Sequence, residues 1–169
     1  MSVPGPRIPA EGLARSAPAA LACELCQGAG GEMLWRDELL RVVMIDDPDY
    51  PGFLRVVWNA HVREMSDLDA SARARLMNAV ATVELAVRQV LAPDKINLAS
   101  LGNVVAHLHW HVIPRYVRDA HFPQPVWGPR QRDPDAAAVA QRQARLPQLR
   151  ELVQRSLGAA ATSNVDRKL

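Results

Sequence analysis

Hydrophobic positions in this chain follow two spacings. From Leu68 to Leu91 they recur every three or four residues, at Leu68, Ala72, Leu76, Val80, Val83, Val87 and Val90, while Arg73, Arg75, Glu84 and Arg88 take other faces. That period predicts a long amphipathic helix packed on a sheet. Ser66 is placed to cap it, with Asp69 three residues on in the role of a capping-box acid, and Pro93 stops it. Elsewhere the pattern is of short β-prone runs. Leu34-Trp35-Arg36 and Leu39 to Ile45 read as two strands with a tight turn at Asp37-Glu38, and residues 46–52 are a loop by composition. Phe53 to Trp58 and Lys95 to Leu101 are further strands, the latter carrying a polar Asn97 and broken by Gly102-Asn103. From residue 107 to 115, polar and apolar residues alternate strictly, as in a strand with two unlike faces. After Arg115 comes an extended, proline-rich stretch over 121–127. A last helix runs from a cap at Asp135 to about Leu157, with Pro147 inside it to split or kink it. Strands, long helix, strands and terminal helix, with short strand connections, predict an α+β fold with an antiparallel sheet.

Composition narrows the picture. The chain has 169 residues, 49% of them hydrophobic, enough for one real core. Residues 1–20 are rich in Pro, Ala and Gly and read as a flexible leader, 21–128 as the folded domain and 129–169 as a helical tail. The leader lacks the continuous apolar core of a secretion signal. A net charge of +2 gives no argument for nucleic acid, and no apolar run approaches the ~18 residues of a membrane span. The two cysteines form Cys23-Glu24-Leu25-Cys26. Without a signal peptide the compartment is expected to be the reducing cytoplasm, which disfavours a structural disulfide.

The candidate chemistry sits in the alternating strand. Three of the five histidines, His107, His109 and His111, occupy every second position, with Leu108, Trp110 and Val112 between them. Three imidazoles on one strand face suit either a three-histidine metal site or a histidine nucleophile with supporting imidazoles. A merely solvated face would be served equally well by Ser, Thr or Lys. Cys23 and Cys26 have the spacing of half a tetrahedral metal site, which alone is a weak signal.

His107-Leu108-His109-Trp110-His111-Val112-Ile113 resembles the His-φ-His-φ-His-φ-φ signature (φ apolar) of the histidine triad, or HIT, superfamily. The resemblance extends backwards in order over about residues 22 to 117, through Cys23, Cys26, Asp46, His61, Asn97 and Gly102. It implies a five-stranded antiparallel sheet with a long helix and a C-terminal helix, a nucleotide cleft and a homodimer. It also implies cleavage at the α-phosphate of a nucleotide, of the diadenosine polyphosphate or nucleoside phosphoramidate class. His109 would be the nucleophile, with His107 and His111 completing the catalytic set. Asp46, Asn97, Gly102 and Asn103 would bind substrate. A structural zinc would be held by Cys23, Cys26, His61 and His107. A histidine at the third triad position, His111, is similar to the hydrolase branches, whereas the transferase branch commonly has glutamine there. Two places depart from the family pattern. Gly52-Phe53 stands where many members have Gly-His, and Gly102-Asn103-Val104 where many have Gly-Gln-Ser or Gly-Gln-Thr. These departures keep open a non-catalytic nucleotide-binding or interaction protein; a nucleotidyl transferase is the other alternative to the hydrolase.

Overall fold

The computed structural model describes residues 22–165, with side chains through residue 159; the expected leader, 1–20, lies outside the described residues. A one-turn helix α1 (Glu24–Gln27) is followed by strands β1 (Glu32–Arg36), β2 (Leu40–Met44) and β3 (Leu54–Trp58). Then come the long helix α2 (Ala70–Leu91), strands β4 (Lys95–Ala99) and β5 (His109–Arg115), and helices α3 (Ala136–Gln143) and α4 (Leu146–Val165). The five strands form one sheet in the order β1-β2-β3-β5-β4, every pair antiparallel. This is the expected α+β architecture.

One face of the sheet carries the core. Leu40, Val42, Leu54, Val56 and Val112 are fully buried against Leu76, Val80, Val83 and Val87 of α2 and Leu149, Val153 and Leu157 of α4. The α2 positions are those the 3.6-residue spacing selects. β2 is nonetheless buried at every residue, because its other face lies under the α1 turn. There the guanidinium of Arg41 donates to the carbonyls of Leu25 (2.5 Å) and Ala29 (2.9 Å) and to Asn59 Oδ1 (3.1 Å). The chain before β1 is thus bonded to the sheet.

The long helix ends at Leu91, ahead of Pro93, and the last helix is split, both as expected; the start of the long helix differs. Helix α2 begins at Ala70 and its cap is Asp69, which accepts from the Ala72 amide at 2.8 Å. Ser66 is spent in a separate 3-10 turn, Met65–Asp67, and Leu68 beyond it is extended, so the helix starts two residues later than its apolar stripe. At the other end Ala92 takes a left-handed conformation (φ 47°), consistent with Pro93 disfavouring a right-handed helical residue before it. The expected last helix is two helices, α3 capped by Asp135 (2.9 Å to the Ala137 amide) and α4. Pro147 lies in the first turn of α4, where its missing N–H has no helical partner to lose.

Candidate active site and metal cluster

The histidine alternation works as expected at β5, with one change. Strand β5 begins at His109, and His107 lies just outside the ladder, in a bend secured by Leu108 N–H to the Val62 carbonyl and Trp58 N–H to the Leu108 carbonyl. Leu108, Trp110 and Val112 join the helix-side core. His109 and His111 take the other face, opposite Val57 and Arg55 of β3. Leaving the ladder turns His107 away from its two neighbours and towards the cysteines.

His107 is fully buried and both of its nitrogens are engaged. Nε2 lies 2.6 Å from the Trp58 carbonyl, which can only accept, so Nε2 carries the proton. Nδ1 therefore offers its lone pair, 3.4 Å from the sulfur of Cys23 and 3.4 Å from that of Cys26. His61, on the loop after β3, places its Nδ1 3.3 Å from Cys26 Sγ. The four ligand atoms all lie within 4.8 Å of one another. The thiol–imidazole separations are close to the ~3.6 Å edge of a tetrahedral site with zinc-like bond lengths. Metal-bound histidines usually give their second N–H to a carbonyl or carboxylate, as His107 does to Trp58. Burial holds the His107 imidazole below its ordinary pKa, in the neutral form a metal needs. Cys23, Cys26, His61 and His107 can therefore hold a metal ion. A metal shared by the three triad histidines is excluded, since neither nitrogen of His107 faces the other two.

His109 is held by the backbone of His107. Its Nδ1–H donates to the His107 carbonyl at 2.6 Å, which fixes the tautomer and leaves Nε2 with the lone pair. His111 Nε2 lies 3.1 Å from it and donates to it while both rings are neutral. The buried Nδ1 of His111 then has no partner. Burial pushes both imidazoles down, helped by the nearby Arg55 charge, His111 to about 3. His111 packs edge-on against Trp127 (ring centroids 5.1 Å apart) and, tilted, against Phe53 (5.5 Å). Phe53 thus fills its place with an apolar wall. Trp127, at the end of the proline-rich stretch, closes one side of the site.

In front of the two imidazoles lies a cavity of about 680 Å³. Leu25 and Gly30, Arg55, the 101–105 loop and Trp127 line it. Gly102 and Asn103 thus line the same cavity as His109 and His111. Val104 replaces a hydroxyl-bearing residue and is 96% exposed. Asp46 is exposed on the loop after β2 and is not among the residues lining this cavity. Asn97 shares the sheet face with His111 but accepts a 2.6 Å hydrogen bond from Arg115.

Two features went unread in the sequence. Arg115, at the end of β5, is 2% exposed and ion-paired to Asp119 at 2.7 Å. It also donates to the Gln124 carbonyl at 2.8 Å, and so ties the strap that carries Trp127 to β5. The alternation carried the signal, since Arg115 has the parity of the histidines. Arg55 likewise breaks an otherwise apolar Leu54–Trp58 run on the face of the site.

Known proteins agree with this geometry. The family model described as "HIT domain" matches residues 29–118, more than half of the chain. A Mycobacterium tuberculosis protein named AP-4-A phosphorylase is 32% identical over 98 residues, 54% of this chain and 50% of that protein. The chain thus spans about half the length of that curated relative. Solved structures include a histidine triad protein from Bradyrhizobium japonicum (35% identity, TM-score 0.56, covering 69% of this chain and 90% of that one). Another, from Marinobacter aquaeolei, has 30% identity and a TM-score of 0.59, covering 74% of this chain and 92% of that one. A histidine triad family protein from Mycobacterium smegmatis, solved with bound zinc, shares the fold at 23% identity and a TM-score of 0.52, over 77% of this chain and 96% of that one. Triad, sheet order and family match agree: the chain belongs to the HIT domain family.

Proposed function

We propose that the protein is a nucleotide hydrolase of the histidine triad type, forming a nucleotidyl-histidine on His109, with zinc held by Cys23, Cys26, His61 and His107. One observation carries this reading: the Nδ1 proton of His109 is committed to the His107 carbonyl at 2.6 Å, which puts the lone pair on Nε2, beside the cavity, where His111 alone engages it until substrate enters. In the first step that lone pair forms an N–P bond at the α-phosphate while the bond from phosphorus to the leaving group breaks. A polyphosphate leaving group departs as its anion, and an amine leaving group takes its proton from water. In the second, a water oxygen bonds to phosphorus and its proton passes to solvent, while the N–P bond breaks and the electron pair returns to Nε2. Two steps through a bound nucleophile avoid assembling water and substrate at once.

Each remaining residue has a role in this scheme. His111 donates from Nε2 to a phosphate oxygen once substrate parts it from His109. The backbone N–H groups at Gly102 and Asn103 take developing charge. Arg115 donates to the Asn97 oxygen, so the Asn97 amide keeps its NH₂ donors for substrate. Asp46 accepts from ribose hydroxyls. Zinc, when bound, supplies a closed four-ligand cross-link and no open catalytic position. The grip of the four ligands holds the His107 carbonyl against His109, which makes the metal cluster a support for the nucleophile. Thiolate ligands suit a reducing cytoplasm, and we assign the protein there, as a homodimer. Among the described residues no helix is long and apolar enough to cross a membrane.

The substrate class follows from the phosphate chemistry and from the relative named AP-4-A phosphorylase: a diadenosine polyphosphate, with a nucleoside phosphoramidate as the simpler variant. That same name favours a second reading, in which inorganic phosphate replaces water in the second step and the enzyme is a nucleotidyl transferase. Intact-protein mass spectrometry after brief mixing with diadenosine tetraphosphate tests the scheme, with His109→Ala alongside. Wild type should gain one adenylyl group and the variant none. Turnover by His109→Ala at the wild-type rate would refute it, and release of ADP only when phosphate is added would select the transferase.

A further inference from the structure

Besides His109 and His111, the cavity wall holds one cation, Arg55, that has no ion-pair partner within contact distance among the described residues. Arg55 stands on β3 with Val43 opposite on β2 and His111 opposite on β5. Directly opposed residues of antiparallel strands keep their Cβ atoms about 4.5–5.5 Å apart on one face, so Arg55 lies beside His111 and diagonal to His109. The residue is partly buried, and its Nε is fully shielded from solvent with no hydrogen-bond partner. Among the described residues, the two fully buried arginines are both satisfied. Arg41 bonds the carbonyls of the α1 turn and Arg115 bonds Asp119. Glu24, an acid on the cavity wall, forms no ion pair with Arg55.

An arginine held this way is costly, because burial outweighs the attraction of Glu24 and its Nε is left without a hydrogen bond. An apolar residue would pack against Val43 and Val57 with no such cost. The guanidinium remains protonated and offers a planar fork matched to phosphate oxygens. What Arg55 lacks is therefore an anion within hydrogen-bond reach, one rung from the nucleophile.

We propose that Arg55 determines the specificity of this site by binding a phosphate group other than the one His109 attacks. That group is either the next phosphate of the leaving chain or an incoming inorganic phosphate. The assignment rests on the nucleotide-processing reading above and narrows it to reactions that involve at least two phosphates. A substrate with one phosphate and a neutral leaving group leaves Arg55 unused.

Calorimetric titration with AMP, ADP, ATP, inorganic phosphate and tripolyphosphate tests this on wild type, Arg55→Met and Arg55→Lys. Charge-assisted bonds of this kind predict that wild type binds ATP about 10- to 100-fold more tightly than AMP. Arg55→Met should bring the two within about twofold, and Arg55→Lys should fall between. The variant that retains the wild-type ATP-to-AMP ratio overturns the proposal, as does a wild type with no such preference. Inorganic phosphate bound by wild type in the presence of AMP, and lost in Arg55→Met, identifies the incoming phosphate as the ligand. Loss of the ATP preference alone identifies the leaving chain. If wild type binds no nucleotide, the enzymatic reading fails, and tripolyphosphate still decides Arg55: binding by wild type and not by Arg55→Met supports it, and binding by neither overturns it. Thermal denaturation without ligand separates folding from recognition. Arg55→Met should melt no lower than wild type, and a drop of several degrees would mark a structural residue and overturn the proposal.

Discussion

Asp119→Asn should destabilise the protein at neutral pH by about 3–5 kcal/mol, the usual cost of breaking a buried ion pair from one side. The structure shows why so much rests on one carboxylate. Asp119 is fully buried and receives Arg115 Nε at 2.7 Å and Nη2 at 3.1 Å. The amides of Tyr116 (3.0 Å), His121 (2.9 Å) and Phe122 (2.7 Å) and the Tyr50 hydroxyl (3.1 Å) also donate to it. The Arg115 pair and these amides outweigh burial and hold the Asp119 carboxyl at about 2, from an ordinary 3.8. An asparagine there would place an NH₂ against donors and leave the Arg115 charge uncompensated. The pH dependence has a definite sign. A carboxyl lowered in the folded state contributes stability that is complete above pH 3.8 and lost as pH falls from there towards 2. That contribution is about 2.5 kcal/mol at 1.36 kcal/mol per pKa unit. Urea denaturation of both proteins at pH 7 and at pH 3 is the assay. The gap between them should be several kcal/mol at pH 7 and narrow clearly at pH 3. A gap below about 1 kcal/mol at pH 7, or one that widens on acidification, would refute the reasoning. The same network holds the strap behind Trp127, so Asp119→Asn should also weaken nucleotide binding.

Other outcomes follow from particular contacts. Cys26→Ser should cut bound zinc, read by elemental analysis, from about one per chain to near zero, and lower the melting temperature; chelation should lower the wild type alone. Leu149→Ala empties a fully buried position in the core beside α2 and should cost about 2–5 kcal/mol in the same urea assay. At Gly52 the backbone has φ +85° and an added Cβ would collide with the Leu91 side chain, so Gly52→Ala should destabilise by at least about 1 kcal/mol in thermal unfolding. Trp127→Ala removes the ring packed on His111 and should raise KM several-fold, while a nucleotide that quenches tryptophan fluorescence in wild type should quench less in the variant.

Much of this protein is local in its sequence. The two periodicities are properties of neighbouring residues, and they specify α2 and the strands because side-chain direction follows backbone type. The same alternation separates His109 and His111 from Leu108, Trp110 and Val112. The Cys-x-x-Cys spacing sets two thiols on one turn. Tertiary structure decided what those residues meet. Only the register of β3 against β5 sets Arg55 beside His111, and only the departure of His107 from the ladder splits three similar histidines into a metal-cluster residue and an imidazole pair. Cys23 and His107 are 84 positions apart, and Arg115 finds its carboxylate in a turn beyond the strand. Helix ends were also decided nonlocally or by competing caps, as Asp69 replaced Ser66. The physical reason is common to all of these: periodicity reports which face a residue takes, whereas burial, pairing and protonation depend on what folds against that face.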